Sequence, residues 1–515
     1  MQENEFYCII HNKVISLERG LIMDCTGEST RAKIYNEYDI KAIGCIVLYG
    51  GREVKSDAGG KLITDKYYKF LLNDIDITKQ TLAYILSLTI LTILYFLIIK
   101  HRKIMFKSNK NMLIFIGIIS IIFIAVVPFT SSDIFYYLGV GRIDGTYNQN
   151  PYYTTIKQFV LHEENVSNLL KADTVLLQGY NNPWSDTTVV YGPIWTLICK
   201  FVATMSFGNI DIGLVLFKII NVIVHIFNCY LIYKISNKKI FVLLYGLNPF
   251  ILIEGIACVH NDIFVILFTL LALYFLIKKK NILLSVILLA LGAAIKYFTI
   301  IILPFIIIYH FRKEKPGKRF LRCIEYGMIF TITVFACYLL YIRDFQVFSG
   351  LFVQQEKIAK SIYVVIREYF SDIPGIIEKT TRTLLQMFVI IYFFTCVVLL
   401  NKKEIKLTKE LKTVNYFIMG FIFLLITNFQ PWYIMWLFPL IMWQKSDIIK
   451  LEIGLSIASQ FANSIFLLYN EQWTYGTPFI FIMTICGFLI IIINEKKSKN
   501  RIKNAYIRRK KVWRD

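Results

Sequence analysis

The sequence predicts an all-α polytopic membrane protein of about thirteen transmembrane helices, with interfacial helices in its first large outer loop and a small β-rich domain ahead of the first helix. Three observations predict it. Hydrophobic residues make up 56% of the 515 and mean hydropathy is +0.55, whereas a soluble chain must turn about half of its positions to water. The apolar residues fall in runs such as Leu82 to Ile99 and Met112 to Phe129, close to the roughly 20 residues that cross a 30 Å hydrocarbon layer. Basic residues gather where these runs end, so the net charge of +22 reads as topogenic rather than as a nucleic-acid footprint.

Residues 1–77 differ in kind from the rest of the chain. Phe6 to Leu17 alternates roughly, and Gly20, Gly27, Gly44, Gly50-Gly51 and Gly59-Gly60 punctuate short Ile/Val/Tyr-rich stretches, the pattern of several strands. Met1 to Tyr7 is polar and acidic, unlike a cleavable signal peptide. The ten cysteines show no CxxC pair and no zinc spacing.

Residues 78–495 form the membrane domain. Apolar runs lie near 82–99, 112–129, 211–234, 240–257, 263–278, 282–295, 298–311, 321–342, 383–400, 413–428, 432–444, 449–469 and 477–494. Lys100 to Lys110 follow the first run and set that loop inside. Every second loop after it is also basic, and so is the tail 496–515, which is placed in the cytoplasm against anionic headgroups. Val189 to Met205 is short and is interrupted by Lys200, so it is expected to lie in the interface with the lysine snorkelling. This alternation puts the β-rich domain outside, with Cys8, Cys25 and Cys45 in a disulfide-permissive space. It also puts two long loops, about 130–210 and 343–382, at the outer face of a multi-pass cell-membrane protein, where functional loops belong.

Asp133 stands a few residues beyond the second run, in Ser131-Ser132-Asp133-Ile134-Phe135-Tyr136-Tyr137. A carboxylate there is partly desolvated and can take a proton. Ser and Asp are equally at home capping a helix, and Tyr in an interfacial belt. Arg142, Asn150-Pro151-Tyr152, Tyr180-Asn181-Asn182-Pro183-Trp184 and Tyr191-Gly192-Pro193 come next. These rigid aromatic turns suit sugar stacking and suit an aromatic belt. Glu254 lies in or beside an apolar run, where an unpaired carboxylate costs a few kcal/mol and marks function. His260-Asn261-Asp262 has the groups to bind phosphate, metal or acceptor, or to cap the next helix. Lys296, at an outer turn, is placed either to neutralise a leaving phosphate or to snorkel. Gln430-Pro431-Trp432-Tyr433 and Trp436 open a later run as a binding wall or a belt. No ligand spacing indicates zinc; a divalent cation beside a phosphate is left open.

Together these motifs resemble the GT-C glycosyltransferase superfamily, in particular its bacterial polyprenyl-phosphomannose-dependent mannosyltransferases. The resemblance covers about residues 112–440. It rests on Ser132-Asp133 with Tyr136-Tyr137, Gly141-Arg142, Asn150-Pro151-Tyr152, Tyr191-Gly192-Pro193, Asn248-Pro249, His260-Asn261-Asp262, Lys296 and Gln430-Pro431-Trp432-Tyr433. It implies a membrane fold with a catalytic Asp in the first large outer loop and inverting transfer of a hexose, mannose foremost, from a polyprenyl-phosphate donor to a lipid-linked or envelope glycan acceptor. Carried over, Asp133 is the base. Arg142, Asn150, Tyr152, Tyr191, Glu254, His260, Asp262, Lys296, Gln430, Trp432 and Tyr433 are candidates to hold substrate. Lys357, Lys360 and Arg367 are further cations for the phosphate. The β-rich stretch and the run before the Asp133 loop fall outside the resemblance. A flippase would favour broken charged helices in two related halves, and no such repeat is found. A glycan polymerase or ligase would lean on Arg and His late in the chain, and the loop 343–382 has no His.

Overall fold

The computed structural model describes residues 6–10, 13–18, 21–23, 77–163, 166–350, 358, 361–370, 373, 375–469 and 486–487. Two compact units divide the chain, Met1–Asp57 and Ala58–Asp515. In the first, β1 (Phe6–Ile10), β2 (Lys13–Glu18) and β3 (Leu21–Met23) pair antiparallel in sequence order, with Cys8 opposite Ile15 and Leu17 opposite Ile22. The rest of the expected β-rich stretch, including Cys25 and Cys45, lies outside the described residues. So do Lys357, Lys360, the tail 496–515, and the run 477–494 except for residues 486–487.

The second unit is helical. α1 (Ile77–Met105) and α2 (Asn109–Ile122) lead to α3 (Asp133–Gly145), followed by the short α4 (Ile156–Leu161), α5 (Val166–Ala172) and α6 (Thr174–Tyr180). α7 (Pro193–Met205) precedes the long α8 (Ile210–Ser236). α9 (Lys239–Gly246) breaks at Asn248-Pro249 and resumes as a π-helical stretch, Ile251–Ala257, bent by 59°. α10 (Asp262–Tyr274), α11 (Ile282–Ala293), α12 (Leu303–His310) and α13 (Pro316–Tyr338) come next. After them are α14 (Ile362–Tyr369), α15 (Ile376–Asn401), α16 (Leu407–Gly420), a 3-10 helix Pro431–Trp443, and α17 (Ser446–Tyr469).

The expected count of about thirteen spans is matched only in part among the described residues. Among the described residues, four helices are long and apolar enough to cross a bilayer alone: Thr81–Met105, Ile210–Ser236, Pro316–Tyr338 and Ile376–Asn401. The bent pair of α9 and its π continuation would make five. The apolar runs at Asn109–Ile122, Pro193–Met205, Ile282–Ala293, Tyr297–His310 and Pro431–Trp443 are helical but short. Hydropathy registers apolar side chains and not where a helix ends. Proline at the break after α9, at Pro304 and at Pro431 removes a backbone donor and divides a run that looks continuous in composition.

These spans face different surroundings. Only 6% of the most apolar window of α13 and of α15 is buried, so those helices turn their side chains outward, as lipid contact requires. The corresponding window of α8 is half buried, and it carries a polar stripe, Asn221, His225 and Asn228, at one-turn spacing. The stripe serves the broken backbone beside it. Asn221 Nδ2 donates to Gly255 O at 2.6 Å, His225 Nε2 lies 3.0 Å from Gly246 O, and Asn228 Nδ2 reaches Tyr245 Oη and Ile263 O, both at 3.0 Å. Where water is scarce, carbonyls released by a break need partners from a neighbouring helix, and α8 supplies them.

α3 is almost wholly buried and packs against α6 and α7. Gly141 permits this, because a Cβ there would run into the Cys199 carbonyl of α7. α7 is a separate 13-residue helix with Phe201 exposed, and Lys200, expected to snorkel, holds Asp144 Oδ1 at 2.8 Å.

Candidate active site

Two helices begin with an aspartate that their own N-caps leave unused. At α3, Ser132 makes no side-chain cap. Ser131 Oγ accepts from Asp133 N at 3.1 Å, and Asn182 Nδ2 ties the Ser132 carbonyl at 2.8 Å. At α10, Asn261 is the cap residue and again makes no side-chain cap bond, with Asp262 next. Both carboxylates sit at the positive end of a helix and are turned to partners from distant segments.

Asp133 is held loosely. Its side chain is 12% exposed; Tyr137 Oη is 3.4 Å from its Oδ2 and His260 Nδ1 is 3.8 Å away. The other imidazole nitrogen, Nε2, is 3.1 Å from Glu254 Oε2, so one buried ring stands between two carboxylates. Its direction to Glu254 misses that of a hydrogen bond, and Trp432 stacks on the ring at 3.7 Å and 16°. Glu254 is fully buried. Gln460 Nε2 of α17 donates to its Oε1 at 2.5 Å, and Thr130 Oγ1 to its Oε2 at 3.0 Å.

Asp262 is gripped. Lys296 Nζ approaches both its oxygens, at 2.8 and 2.7 Å, and Trp436 Nε1 donates to Oδ1 at 2.5 Å. The Lys296 ammonium also lies 4.9 Å from the Tyr433 ring, 5.7 Å from Trp436 and 5.9 Å from Tyr191, within cation–π range. Burial lowers the Lys296 pKa from its usual value, while Asp262 and, more weakly, Asp133 draw it back up.

Tyr191 joins the two groups. Its hydroxyl is 3.3 Å from that of Tyr137, and its carbonyl accepts from Tyr152 Oη at 2.8 Å. The adjoining Gly192 explains the local sequence. Gly192 N donates to Ile295 O at 3.1 Å and Ile194 N to Ala294 O at 3.0 Å, so this backbone lies flat on the turn just before Lys296. A Cβ at Gly192 would collide with Ala294 O. Pro193 then starts α7 at a position that needs no amide hydrogen.

Val259 adds an outlier. Its φ is +58°, in the left-handed region that a β-branched side chain strongly disfavours, and it is fully buried one residue before His260. Such strain costs on the order of 1–3 kcal/mol and persists only where the surroundings over-determine it. Beside it, Asn261 is fully buried with neither end of its amide hydrogen-bonded, so both ends are available to a polar ligand.

The residues anticipated from sequence divide accordingly. Asp133, Tyr191, Glu254, His260, Asp262, Lys296, Trp432 and Tyr433 come together. Tyr152 supports Tyr191 from behind. Gln430 Nε2 donates to Asn428 Oδ1 at 2.9 Å, next to the Trp432 turn. Arg142 lies elsewhere: it pairs with Asp173 at 2.6 Å, nine residues along α3 from Asp133, roughly 13 Å at helical rise. Asn150 is also engaged elsewhere, its Nδ2 on Tyr341 O at 2.7 Å and its Oδ1 accepting from Tyr152 N at 3.1 Å. Arg367 is exposed on α14. Trp436, read with the Trp432 turn, joins the site through Asp262, and Gln460 and Thr130 join it without having been singled out from sequence. The signal for Gln460 was a polar residue in the apolar run 449–469, in line with Glu452, Ser456, Ser459 and Asn463. Among the described residues no three of His, Cys, Asp and Glu converge as metal ligands.

Residues 49–312, just over half of the chain, match the family model described as alpha-(1->6)-mannopyranosyltransferase, N-terminal domain. The chain belongs to the alpha-(1->6)-mannopyranosyltransferase family. Alpha-(1->6)-mannopyranosyltransferase A of Corynebacterium glutamicum is 27% identical over 154 residues, a match covering 28% of this chain and 31% of that relative. The chain thus aligns with under a third of that relative's length. No solved structure matches. The resemblance read from the motifs to GT-C mannosyltransferases is borne out by this family. Asp133, Glu254, His260, Asp262 and Lys296 all fall inside the stretch matched by the mannopyranosyltransferase model, whereas Trp432, Tyr433, Trp436 and Gln460 lie beyond it.

Proposed function

We propose that this membrane protein transfers mannose from a polyprenyl-phosphate donor to a lipid-linked or envelope glycan, with inversion, and that Asp133 is the general base. The observation that carries the reading is the meeting of Asp133, His260 and Lys296 in one cluster built by segments far apart in sequence. In the reaction an acceptor hydroxyl attacks the anomeric carbon of the donor. A new C–O bond forms, the bond from that carbon to the phosphate oxygen breaks, and the electron pair leaves with the lipid phosphate.

The hydroxyl proton goes to Asp133. A carboxylate held by contacts of 3.4 and 3.8 Å gives up little to accept it. A positioned base of this kind contributes typically about 10²–10⁴-fold. His260 stands between Asp133 and Glu254, so a second carboxylate remains behind the base after it is neutralised. Lys296, kept protonated by Asp262, faces the charge that grows on the phosphate, and a dry aromatic wall strengthens that attraction. Tyr191, Trp432 and Tyr433 supply flat faces for a sugar ring. We place this cluster at the extracytoplasmic face, with the tail in the cytoplasm; Asn148→Cys, in the same loop region as α3, then reacts with an impermeant maleimide in intact cells. Reaction only after lysis would reverse that orientation.

The test is transfer of radiolabelled mannose from polyprenyl-phosphate by protein purified into proteoliposomes, with and without EDTA to ask whether a divalent cation accompanies the lipid phosphate. Product from wild type and none from Asp133→Asn supports the reading. Turnover by Asp133→Asn within tenfold of wild type would sink it, and movement of intact lipid without transfer would indicate a flippase instead.

A further inference from the structure

A cavity of about 420 Å³ lies away from the Asp133 cluster, lined by Asp144, Asn148, Asn150, Lys200, Tyr341 and Arg343 among others. Asp144 is eleven residues along α3 from Asp133, roughly 16 Å at helical rise. The two places are therefore opposite ends of one buried helix. The cavity uses none of the groups assigned to the base or to the leaving phosphate.

Its chemistry is that of a sugar subsite. The floor is rigid: Asp144 accepts from Lys200 Nζ at 2.8 Å and from Tyr341 Oη at 2.7 Å, and Asn150 is held by Tyr341 O at 2.7 Å. With both carboxylate oxygens already engaged, Asp144 acts as a brace and not as a free acid. The rim is available. Asn148 is exposed, with φ +54°, and no hydrogen bond of its side chain is found among the described residues. Arg343 lies 5.4 Å from the Tyr153 ring and has no carboxylate partner among the described residues. Leu197, Leu340 and Ile342 add apolar surface. Planar amide and guanidinium donors beside a patch of aliphatic surface match a hexose, whose vicinal hydroxyls need bidentate donors and whose C–H face needs an apolar seat.

We propose that this cavity binds a sugar residue of the acceptor glycan away from the reacting hydroxyl, so that longer acceptors are gripped at both ends of α3. The proposal rests on the transferase reading for the identity of its ligand. It predicts an affinity that rises with chain length, because a second subsite makes the second contact intramolecular.

The experiment uses the full-length Asp133→Asn protein in nanodiscs, so that binding is read without turnover, and titrates it with mannose di-, tri-, tetra- and pentasaccharides. Binding is expected to tighten at least tenfold between the short and the long members. Arg343→Ala combined with Asn148→Gly should remove that gain, and Leu197→Trp, which fills the cavity and takes away no charge, should do the same. Glycine adopts the Asn148 backbone without strain, so loss of fold is not the expected cause. Equal affinity for all lengths, or a length gain untouched in both variants, would overturn the subsite. Transfer by wild type with no length preference would overturn it too, leaving the proposed function standing. Length-dependent binding without transfer from any mannosyl phosphate lipid would support the subsite and remove the transferase reading.

Discussion

Asp133 and Asp262 occupy the same local position, the first residue of a helix whose N-cap side chain is idle, and they have been put to different uses. Asp262 has no exposed side-chain surface and meets Lys296 and Trp436 at 2.5–2.8 Å. Asp133 keeps 12% of its side chain exposed, and among the described residues its nearest polar side-chain partners stand at 3.4 and 3.8 Å. A carboxylate saturated with donors holds its charge and holds a cation in place. One left under-coordinated at a surface can change its protonation state during a reaction. Local sequence does not separate the two; the segments that fold onto them do.

That contrast can be broken by experiment, most severely at Asp133. Asp133→Asn should cut transfer by about 10²–10⁴-fold while leaving thermal stability within about 1 kcal/mol, since the amide loses no tight ion pair. Rate in proteoliposomes and a melting curve together check it. Asp262→Asn should behave in the opposite sense. It strands a buried ammonium, at a cost of about 3–5 kcal/mol, and should show as lower yield and a lower melting temperature; Asp262→Asn with Lys296→Met should recover most of that loss. An unaltered melting point in the single variant would show that the pair does not anchor the fold.

The contrast is sharpened by pH. Because burial lowers the Lys296 pKa below the ordinary lysine value, the ammonium is present at low pH and is lost, as pH rises, earlier than on a surface lysine. Transfer should therefore decline on the alkaline side, and Lys296→Arg, which stays charged, should carry that limb to higher pH even if its maximal rate is lower. A pH–rate profile with identical alkaline limbs in the two proteins would remove Lys296 from the reaction. The smallest effect is expected at Val259. Val259→Gly relieves a left-handed φ of +58° and should raise stability by about 1 kcal/mol, after the extra backbone entropy of glycine is subtracted. Transfer should fall modestly in the same variant if the strain serves to aim His260.

Much of the site could be read from the sequence because charge in an apolar run is rare and expensive. Glu254 stood out on that ground, while His260, Asp262 and Lys296 stood out as polar groups in short outer connections, and all four converge on Asp133's surroundings. Arg142 and Asn150 lie away from the Asp133 cluster for a physical reason. An arginine and an asparagine in an outer loop look the same whether they face a ligand or fasten the loop. The partners that decide it, Asp173 for the one and the Tyr341 carbonyl for the other, lie 31 and 191 residues away. The fold was legible in class but not in count. Apolar runs near 112–129 and 282–295 do contain helices, yet hydropathy gave no account of where each one stops. The stripe Asn221, His225 and Asn228 is not marked out by the sequence; its role follows from the broken backbone that it satisfies.

Glu254 leans on a helix that arrives very late. Its oxygen is tied to Gln460, 206 residues downstream, and the ring it faces is covered by Trp432. During synthesis, Asp133, Glu254, His260 and Lys296 all enter the bilayer before either of those residues has been made. For that interval the Glu254 carboxylate keeps Thr130 but lacks its Gln460 partner, in a place that penalises solitary charge. The nascent protein therefore passes through a stage in which its reactive centre is present but unsealed, and a ribosome stalled short of α17 would leave a product that the membrane holds poorly and that quality control has reason to remove.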